Sequence, residues 1–243
     1  MKSLIKRLAC LFSFFICVLC LTSCGNGREE FITNLVSGNI EEVYLGNFQE
    51  EYLEMVSITK EDAERIYTDG MLMEAENFAY YWGILQAENG DHFDDLNEEL
   101  QNEIIALCKQ IYGCTKYEIS SVAEQDDGNY AVTVLVDPIN IMKQAMELYD
   151  SGEYEPLNAF WHEYNNGNIN NNLELSTEQK YIIHTNYTNQ YAKIIVQMIH
   201  DLIPSLEYAE QQSQVIRVEC INEIWQINRD DWNTFDSSII NYP

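Results

Sequence analysis

Histidines are the side chains best suited to proton transfer or metal binding near neutral pH. The chain has four of them, His92, His162, His184 and His200, and none stands in an HExxH motif or beside cysteines at zinc-ligand spacing. The sequence also lacks the GxSxG, P-loop and GxGxxG motifs, and neither EQDDGN nor NGDHFDD has the acid spacing of an EF-hand. We therefore expect no catalytic residue, no metal site and no cofactor. His184 falls on the apolar stripe of a predicted helix, which favours a hydrogen-bonded core histidine.

Three cysteines lie in the body of the chain, at Cys108, Cys114 and Cys220. Cys108 and Cys114 are six residues apart across the end of a predicted helix, so a local disulfide is an open alternative to buried thiols. A nucleophile formed by Cys114 and a histidine is disfavoured because no spacing supports it.

Two aromatic clusters could line a cleft for a sugar or a peptide, since flat amphipathic rings stack well on such ligands. They are FAYYW, from Phe78 to Trp82, and the pair Trp161-His162. Aromatic residues at helical spacing are more often part of a core, so both readings stay open.

The N-terminus has the organisation of a secretory leader. Three basic residues and no acid precede Leu8–Leu21, a 14-residue run in which Ser13 is the one polar residue. A membrane-spanning helix needs roughly 18 to 20 apolar residues, so a cleaved leader is favoured over a permanent span.

The residues that close this run, Leu21-Thr22-Ser23-Cys24, resemble the bacterial lipobox. This resemblance implies that the thiol of Cys24 receives a diacylglyceryl group, that residues 1–23 are removed, and that Cys24 becomes the first residue of the mature chain. Two acyl chains suffice for stable anchoring where one does not. We therefore expect a palmitate-bearing protein on the extracytoplasmic face of the cell membrane, with the lipid bilayer as a partner through acylated Cys24.

The charge of the chain limits its other partners. There are 13 Lys and Arg against 40 Asp and Glu, a net charge of −27. Three of the positive charges lie in the leader, so the mature chain carries about −30. Binding to nucleic acid is excluded as a function class, because affinity for phosphate backbones rests on clustered Lys and Arg. An envelope protein, peptide or glycan remains a candidate partner.

Apolar periodicity predicts the elements of the body. The segment REEFITNLVSGNIEEVYLGNF predicts two short helices separated by a turn at residues 37–39, and a long helix follows Thr59. From Lys116 the period becomes 2, and Asp127-Gly128 and Asn222-Glu223 are hairpin loops. Ser176 and Gln179 form a capping box for a second long helix, and an Asp is expected to cap the last helix.

This order predicts an α+β fold in which long amphipathic helices pack on antiparallel hairpins. A nuclear transport factor 2-like or cystatin-like cone fits best. The domain boundaries are a signal peptide at residues 1–23, the lipidated cysteine and a short tether at 24–28, and an extracytoplasmic domain at 29–243. Two candidate halves, 29–150 and 151–243, are suggested by the repeated order of helices and hairpin.

Several stretches together resemble a family of uncharacterised cell-surface lipoproteins of Gram-positive bacteria. They are the lipobox, SGNIEEVY, TKEDAERIY, KYEISSVAEQDDGNYAVTVLVDPINI and the final IWQINRDDW. The resemblance implies no catalytic residue that could be carried over to this chain.

We therefore expect a surface-anchored protein with a binding or protein-interaction domain and no enzymatic activity. A solute-capturing lipoprotein of a transporter is an alternative, disfavoured by the missing βαβ alternation. An envelope enzyme with a nuclear transport factor 2-like cavity is a second alternative.

Overall fold

A computed structural model describes residues 18–19, 26–166 and 176–243 of the chain. The chain forms two compact units. The first, here called the sheet unit, comprises Met1–Gly70, Ile111–Asn140 and Glu207–Asn241. The second, the helical unit, comprises Met71–Gln110, Ile141–Leu206 and Tyr242–Pro243. Each unit is built from separated segments, and duplication between 29–150 and 151–243 stays a prediction.

The described α-helices are numbered in chain order. They are α1 (Asn26–Ile40), α2 (Glu50–Val56), α3 (Lys60–Tyr81), α4 (Glu98–Tyr112), α5 (Ile141–Ser151), α6 (Glu155–Asn166), α7 (Thr177–Leu202) and α8 (Arg229–Asp236). A π-helical stretch, Glu41–Leu45, continues α1 and is called the π segment below. Short 3₁₀ turns occupy Ala87–Asn89, Phe93–Asp95 and Ile203–Ser205.

The sheet unit contains five described strands. They are β1 (Val18–Leu19), β2 (Lys116–Glu124), β3 (Tyr130–Asp137), β4 (Gln212–Ile221) and β5 (Ile224–Ile227). Their spatial order is β1-β5-β4-β3-β2, and each strand pairs antiparallel with its neighbours. The helices α1 and α8 pack against this sheet, α1 on β2 and β3 and α8 on β4.

Alternating residues give β3 its buried face. Tyr130, Val132, Val134 and Val136 are buried, and the residues between them are half-buried, as expected for a strand with period 2. Both predicted hairpins are confirmed, β2–β3 around Asp127-Gly128 and β4–β5 around Asn222-Glu223. Asn222 and Glu223 have φ of 53° and 66°, the left-handed geometry of a two-residue type I′ loop.

The predicted turn at residues 37–39 is wrong, because α1 runs through it without interruption to Ile40. Gly38 is required here for close packing. A Cβ at this position would lie 2.1 Å from Cδ2 of Tyr52, which follows on α2. The missing side chain therefore lets the ring of Tyr52 approach the backbone of α1.

The predicted caps of α7 and α8 have different outcomes. The capping box of α7 is confirmed, since the Ser176 side chain accepts from the N–H of Gln179 and the Gln179 side chain accepts from the N–H of Ser176. The cap of α8 is an Asn where an Asp was expected. The side chain of Asn228 accepts from the N–H groups of Asp230 and Asp231.

The helical unit has a core of aliphatic and aromatic side chains from α3, α4, α5 and α7. Its buried members include Met71, Phe78, Leu100, Ile104, Leu107, Ile141, Met142, Ile195 and Met198. Both α5 and α6 pack against α7. The buried positions recur three and four residues apart, which places them on one face of each helix.

The predicted fold class, α+β with helices on an antiparallel sheet, is confirmed. The assignment to a nuclear transport factor 2-like or cystatin-like cone stays a prediction. Among the described helices, none combines the length and the apolar character that crossing a membrane requires.

Candidate functional site

Cys24, the predicted lipidation site, lies outside the residues that the structure describes. The described chain resumes at Asn26, where α1 begins. One residue, Gly25, therefore lies between the predicted lipid attachment point and the first helix of the sheet unit.

The four histidines are all exposed. For His184 this corrects the expectation of a core histidine. The buried stretch of α7 begins at Tyr191, and the earlier side chains that the structure describes are half-buried or exposed, with Ile182 at 51%. Apolar spacing alone could not tell where along the helix the core ends. Among the described residues, no group of three or more His, Cys, Asp or Glu could hold a metal ion.

The cysteines differ in burial. In the described part of the chain, Cys108, Cys114 and Cys220 form no disulfide. Cys108 is buried, Cys114 is half-buried and Cys220 is exposed. Burial, together with the charge of Glu74, raises the pKa of the Cys108 thiol, so this side chain is an inert core residue rather than a nucleophile.

The aromatic cluster from Phe78 to Trp82 is mainly core. Phe78 and Trp82 are buried, and their ring centroids are 6.4 Å apart. The hydroxyl of Tyr191 donates to the backbone oxygen of Trp82 at 3.0 Å, and Tyr149 packs on the Trp82 ring. Nε1 of Trp82 is buried without a hydrogen-bond partner. This cluster therefore fixes α3 against α5 and α7 within the helical unit.

The second aromatic cluster joins α6 to α7. The ring of Trp161 lies 5.9 Å from that of Tyr191, and the ring of Phe160 lies 5.0 Å from that of Tyr187. Phe160 and Tyr191 are buried, whereas Trp161 and Tyr187 are half-buried. The structure thus connects both predicted clusters through Tyr191, as a helix-packing core with two rings partly accessible to solvent.

Two carboxyls with raised pKa values lie around the π segment in the sheet unit. Such π-helical insertions leave backbone groups outside the regular α-helical ladder and are often found at functional sites. Here three polar residues of the π segment each contact a different element. Glu41 accepts from Tyr117 of β2, Glu42 lies beside Tyr52 of α2, and Tyr44 donates to Asp236 of α8.

Glu42 is a carboxyl inside the core. The residue is 2% exposed, and its Oε2 has no hydrogen-bond partner. Burial raises the pKa of Glu42 to about 7, although a hydrogen bond with Tyr52 acts in the opposite direction. The Tyr52 hydroxyl also donates to Oδ1 of Asn39 at 3.3 Å. Burial and the neighbouring charge of Glu42 raise the pKa of Tyr52, so its hydroxyl keeps its proton.

A second carboxyl with a raised pKa lies on the other side of the π segment. Oδ1 of Asp236 accepts from the Tyr44 hydroxyl at 2.7 Å. Burial raises the pKa of Asp236 to about 6, and the bond from Tyr44 acts against this rise. The ring of Tyr44 stacks between Tyr112 and Trp232, at centroid distances of 5.8 and 6.0 Å.

A carboxyl with a pKa near 7 could serve as a general acid or base if a substrate reached it. Glu42 is enclosed by core side chains, and its pKa is set by burial and by the hydrogen bond with Tyr52. The arrangement therefore fits a structural polar cluster best. Sequence reasoning missed it, although a signal exists: Glu42 follows the buried Leu35 by seven residues, two helical turns along the same apolar stripe.

Comparison with known proteins gives little further information. No protein-family model and no curated protein match the chain. Among solved structures, the chain is similar to the crystal structure of YcdA from Bacillus subtilis, described as a candidate lipoprotein. The TM-score is 0.49 and the identity 14%, over 86% of this chain and 55% of that one. The chain thus spans about half the length of this neighbour, and a likeness of this degree carries no argument about function.

Proposed function

We propose that this protein is a lipoprotein of the extracytoplasmic membrane face, anchored through Cys24, whose domain binds a partner without catalysing a reaction. The observation that supports anchoring best is the combination of three basic residues, the apolar run Leu8–Leu21 and the lipobox-like Leu21–Cys24. Each has the place that a lipoprotein leader requires.

The start of the fold fits this proposal. Helix α1 begins at Asn26, so the domain follows the anchor almost directly. The mature chain carries about −30 charges, which repel anionic lipid head groups within a Debye length of about 8 to 10 Å. A lipid must therefore supply the membrane affinity, and the binding surface is expected to face away from the membrane.

The absence of catalysis is inferred from the environment of the reactive groups. The two carboxyls with raised pKa values, Glu42 and Asp236, have tyrosine neighbours, and Glu42 is enclosed by the core. The Cys108 thiol is buried as well. Groups placed in this way support packing, which leaves the surface of the domain for recognition.

Metabolic labelling with a palmitate analogue tests the anchor. Growing cells should label the wild-type protein, and the Cys24→Ala variant should lose the label and accumulate with its leader attached. The matched control is Cys20→Ala, which removes a leader cysteine four residues earlier and should label normally. Label retained in Cys24→Ala, or lost equally in both variants, would refute anchoring through Cys24.

A further inference from the structure

Among the described strands that follow the leader, β5 lies at an edge of the sheet. Its four residues, Ile-Trp-Gln-Ile at 224–227, carry no charge. Its outer side is covered by β1, with Val18 opposite Trp225 and Leu19 opposite Ile224. Both β1 residues lie within residues 1–23, so removal of the leader uncovers the edge.

We propose that the uncovered edge of β5 binds an extended, uncharged apolar segment of a partner protein, which adds to the sheet as an antiparallel strand. This rests on the proposed function in one respect, namely that the leader is removed. Strand addition of this kind derives affinity from backbone hydrogen bonds and specificity from alternate side chains.

The hairpin geometry determines which backbone groups are available. In a two-residue hairpin the residues flanking the loop, here Ile221 and Ile224, exchange hydrogen bonds. Residues of β5 then alternate between those that bond to β4 and those that do not. In agreement, the N–H of Asn228 donates to the backbone oxygen of Arg217 in β4 at 2.8 Å. The backbone groups of Trp225 and Ile227 therefore point outward, away from β4.

The same alternation assigns the roles of the two leader residues. Since Trp225 points outward, the pair Val18–Trp225 is hydrogen-bonded and the pair Leu19–Ile224 is not. An added strand needs a free N–H at the position opposite Trp225, and not at the next position. This difference provides a matched pair of probes.

The chemistry of the partner follows from the surroundings of the edge. The strand seated there belongs to an apolar run, Leu8–Leu21, and β5 itself is uncharged. Ile221, at the end of β4 beside the loop, is 46% exposed and extends the apolar surface. Each mature chain has a net charge of about −30, so two copies repel each other, which disfavours pairing of β5 with β5. A neutral segment avoids that repulsion.

The test uses the mature chain, residues 24–243 with Cys24→Ser, which contains every described element except β1. The probe is a peptide of residues 16–23 with Cys17→Ser and Cys20→Ser, fluorescently labelled and extended by two lysines for solubility. Two further peptides carry an N-methyl group, one at Val18 and one at Leu19. All three have equal charge, so non-specific attraction to the acidic chain affects them alike.

Fluorescence anisotropy should show equal binding of the unmodified and the N-methyl-Leu19 peptides, and binding about tenfold weaker for N-methyl-Val18, which lacks the bonding N–H. Equal affinity of the two methylated peptides, or no binding by any peptide, overturns the proposal. Dimerisation of the mature chain that the unmodified peptide does not reverse also overturns it, in favour of a second copy as the occupant. The assay needs no acylation, so its failure is separate from a failure of the lipid-labelling test.

Discussion

The two outer strands of the sheet that follow the leader, β2 and β5, differ in how they are protected from pairing. β2 carries Lys116, Glu118 and Glu124, and its register with β3 shifts between Ile119 and Ser121, as a bulge requires. Charges and bulges are the usual means by which a sheet edge avoids joining another chain. β5 has neither, and its outer side is instead covered by a strand from the leader.

This difference indicates separate roles for the two sides of the sheet unit. The β2 side is tied internally, because α1 packs against it and Tyr117 donates to Oε1 of Glu41, in the π segment, at 2.9 Å. The β5 side depends on a covering strand. Perturbing the β2 side should therefore change stability, and perturbing the β5 edge should change binding.

The largest effect expected on the β2 side is a dependence of stability on pH. The folded chain raises the pKa of Glu42 from 4.5 to about 7, so between these values the folded state holds a proton that the unfolded state releases. The stability contributed by this proton is fully present below about pH 4.5 and is lost as the pH rises to about 7. The loss is roughly 3 kcal/mol, measurable by urea denaturation across this range.

The variant Glu42→Gln should be insensitive to pH over the upper part of that window, since its amide stays neutral. Asp236→Asn is the control. It removes the pH dependence that comes from Asp236, whose pKa is about 6, and leaves that of Glu42 in place. If Glu42→Gln kept the pH dependence of the wild-type chain, the buried carboxyl would not be its source.

The next effect concerns the approach of α1 and α2. Gly38→Ala places a Cβ in the position occupied by the Tyr52 ring, and the expected cost is about 2 kcal/mol despite the better helix propensity of Ala. Thermal or chemical unfolding measures it. The neighbouring Ser37→Ala, which loses one long hydrogen bond to Asn34, should change stability by less than about 0.5 kcal/mol. Equal stability of the two variants would contradict the packing role of Gly38.

A smaller effect is expected where β2 meets the π segment. Tyr117→Phe removes the hydroxyl that donates to Glu41 and should cost about 1 kcal/mol. A double-mutant cycle with Glu41→Ala, which removes the acceptor, measures the coupling of the two side chains. Strictly additive losses would mean that this bond does not stabilise the β2 side.

The smallest effect on stability is expected at β5. Ile224→Lys puts a charge on the uncovered edge and should change the unfolding free energy by less than about 1 kcal/mol. The same variant should bind the leader-derived peptide severalfold more weakly than the unsubstituted mature chain does. Val215→Lys is the control, since Val215 is 52% exposed but lies on the interior strand β4. Equal peptide binding by the two variants would remove the distinction between edge and interior.

Local sequence signals were sufficient for the hairpins and for the cap of the long helix α7. Asp127-Gly128 and Asn222-Glu223 need specific backbone angles, and Ser176 with Gln179 satisfies neighbouring N–H groups, so each acts within a few residues. Gly38 was misread because a glycine in a polar triplet indicates a turn, whereas its role depends on Tyr52, fourteen residues later.

The buried carboxyls and the bare edge depend on contacts far apart in sequence. Asp236 accepts a hydrogen bond from Tyr44, which is 192 residues away in the sequence. Apolar periodicity does not predict a pair of this kind. The edge status of β5 follows from strand order, which hydrophobic alternation does not determine. Cys24, by contrast, was identified from its neighbours alone and lies outside the described residues, so its lipidation stays a prediction.

Backbone amide hydrogen exchange tests most directly whether the two edges differ. In the mature chain, the amides of Trp225 and Ile227 should exchange rapidly while those of Ile224 and Gln226, bonded to β4, stay protected. Addition of the leader-derived peptide should slow the exchange of the Trp225 and Ile227 amides and leave the exchange of the β2 amides unchanged. Protection of Trp225 and Ile227 before any peptide is added, or slowing at β2 equal to that at β5, would contradict the account.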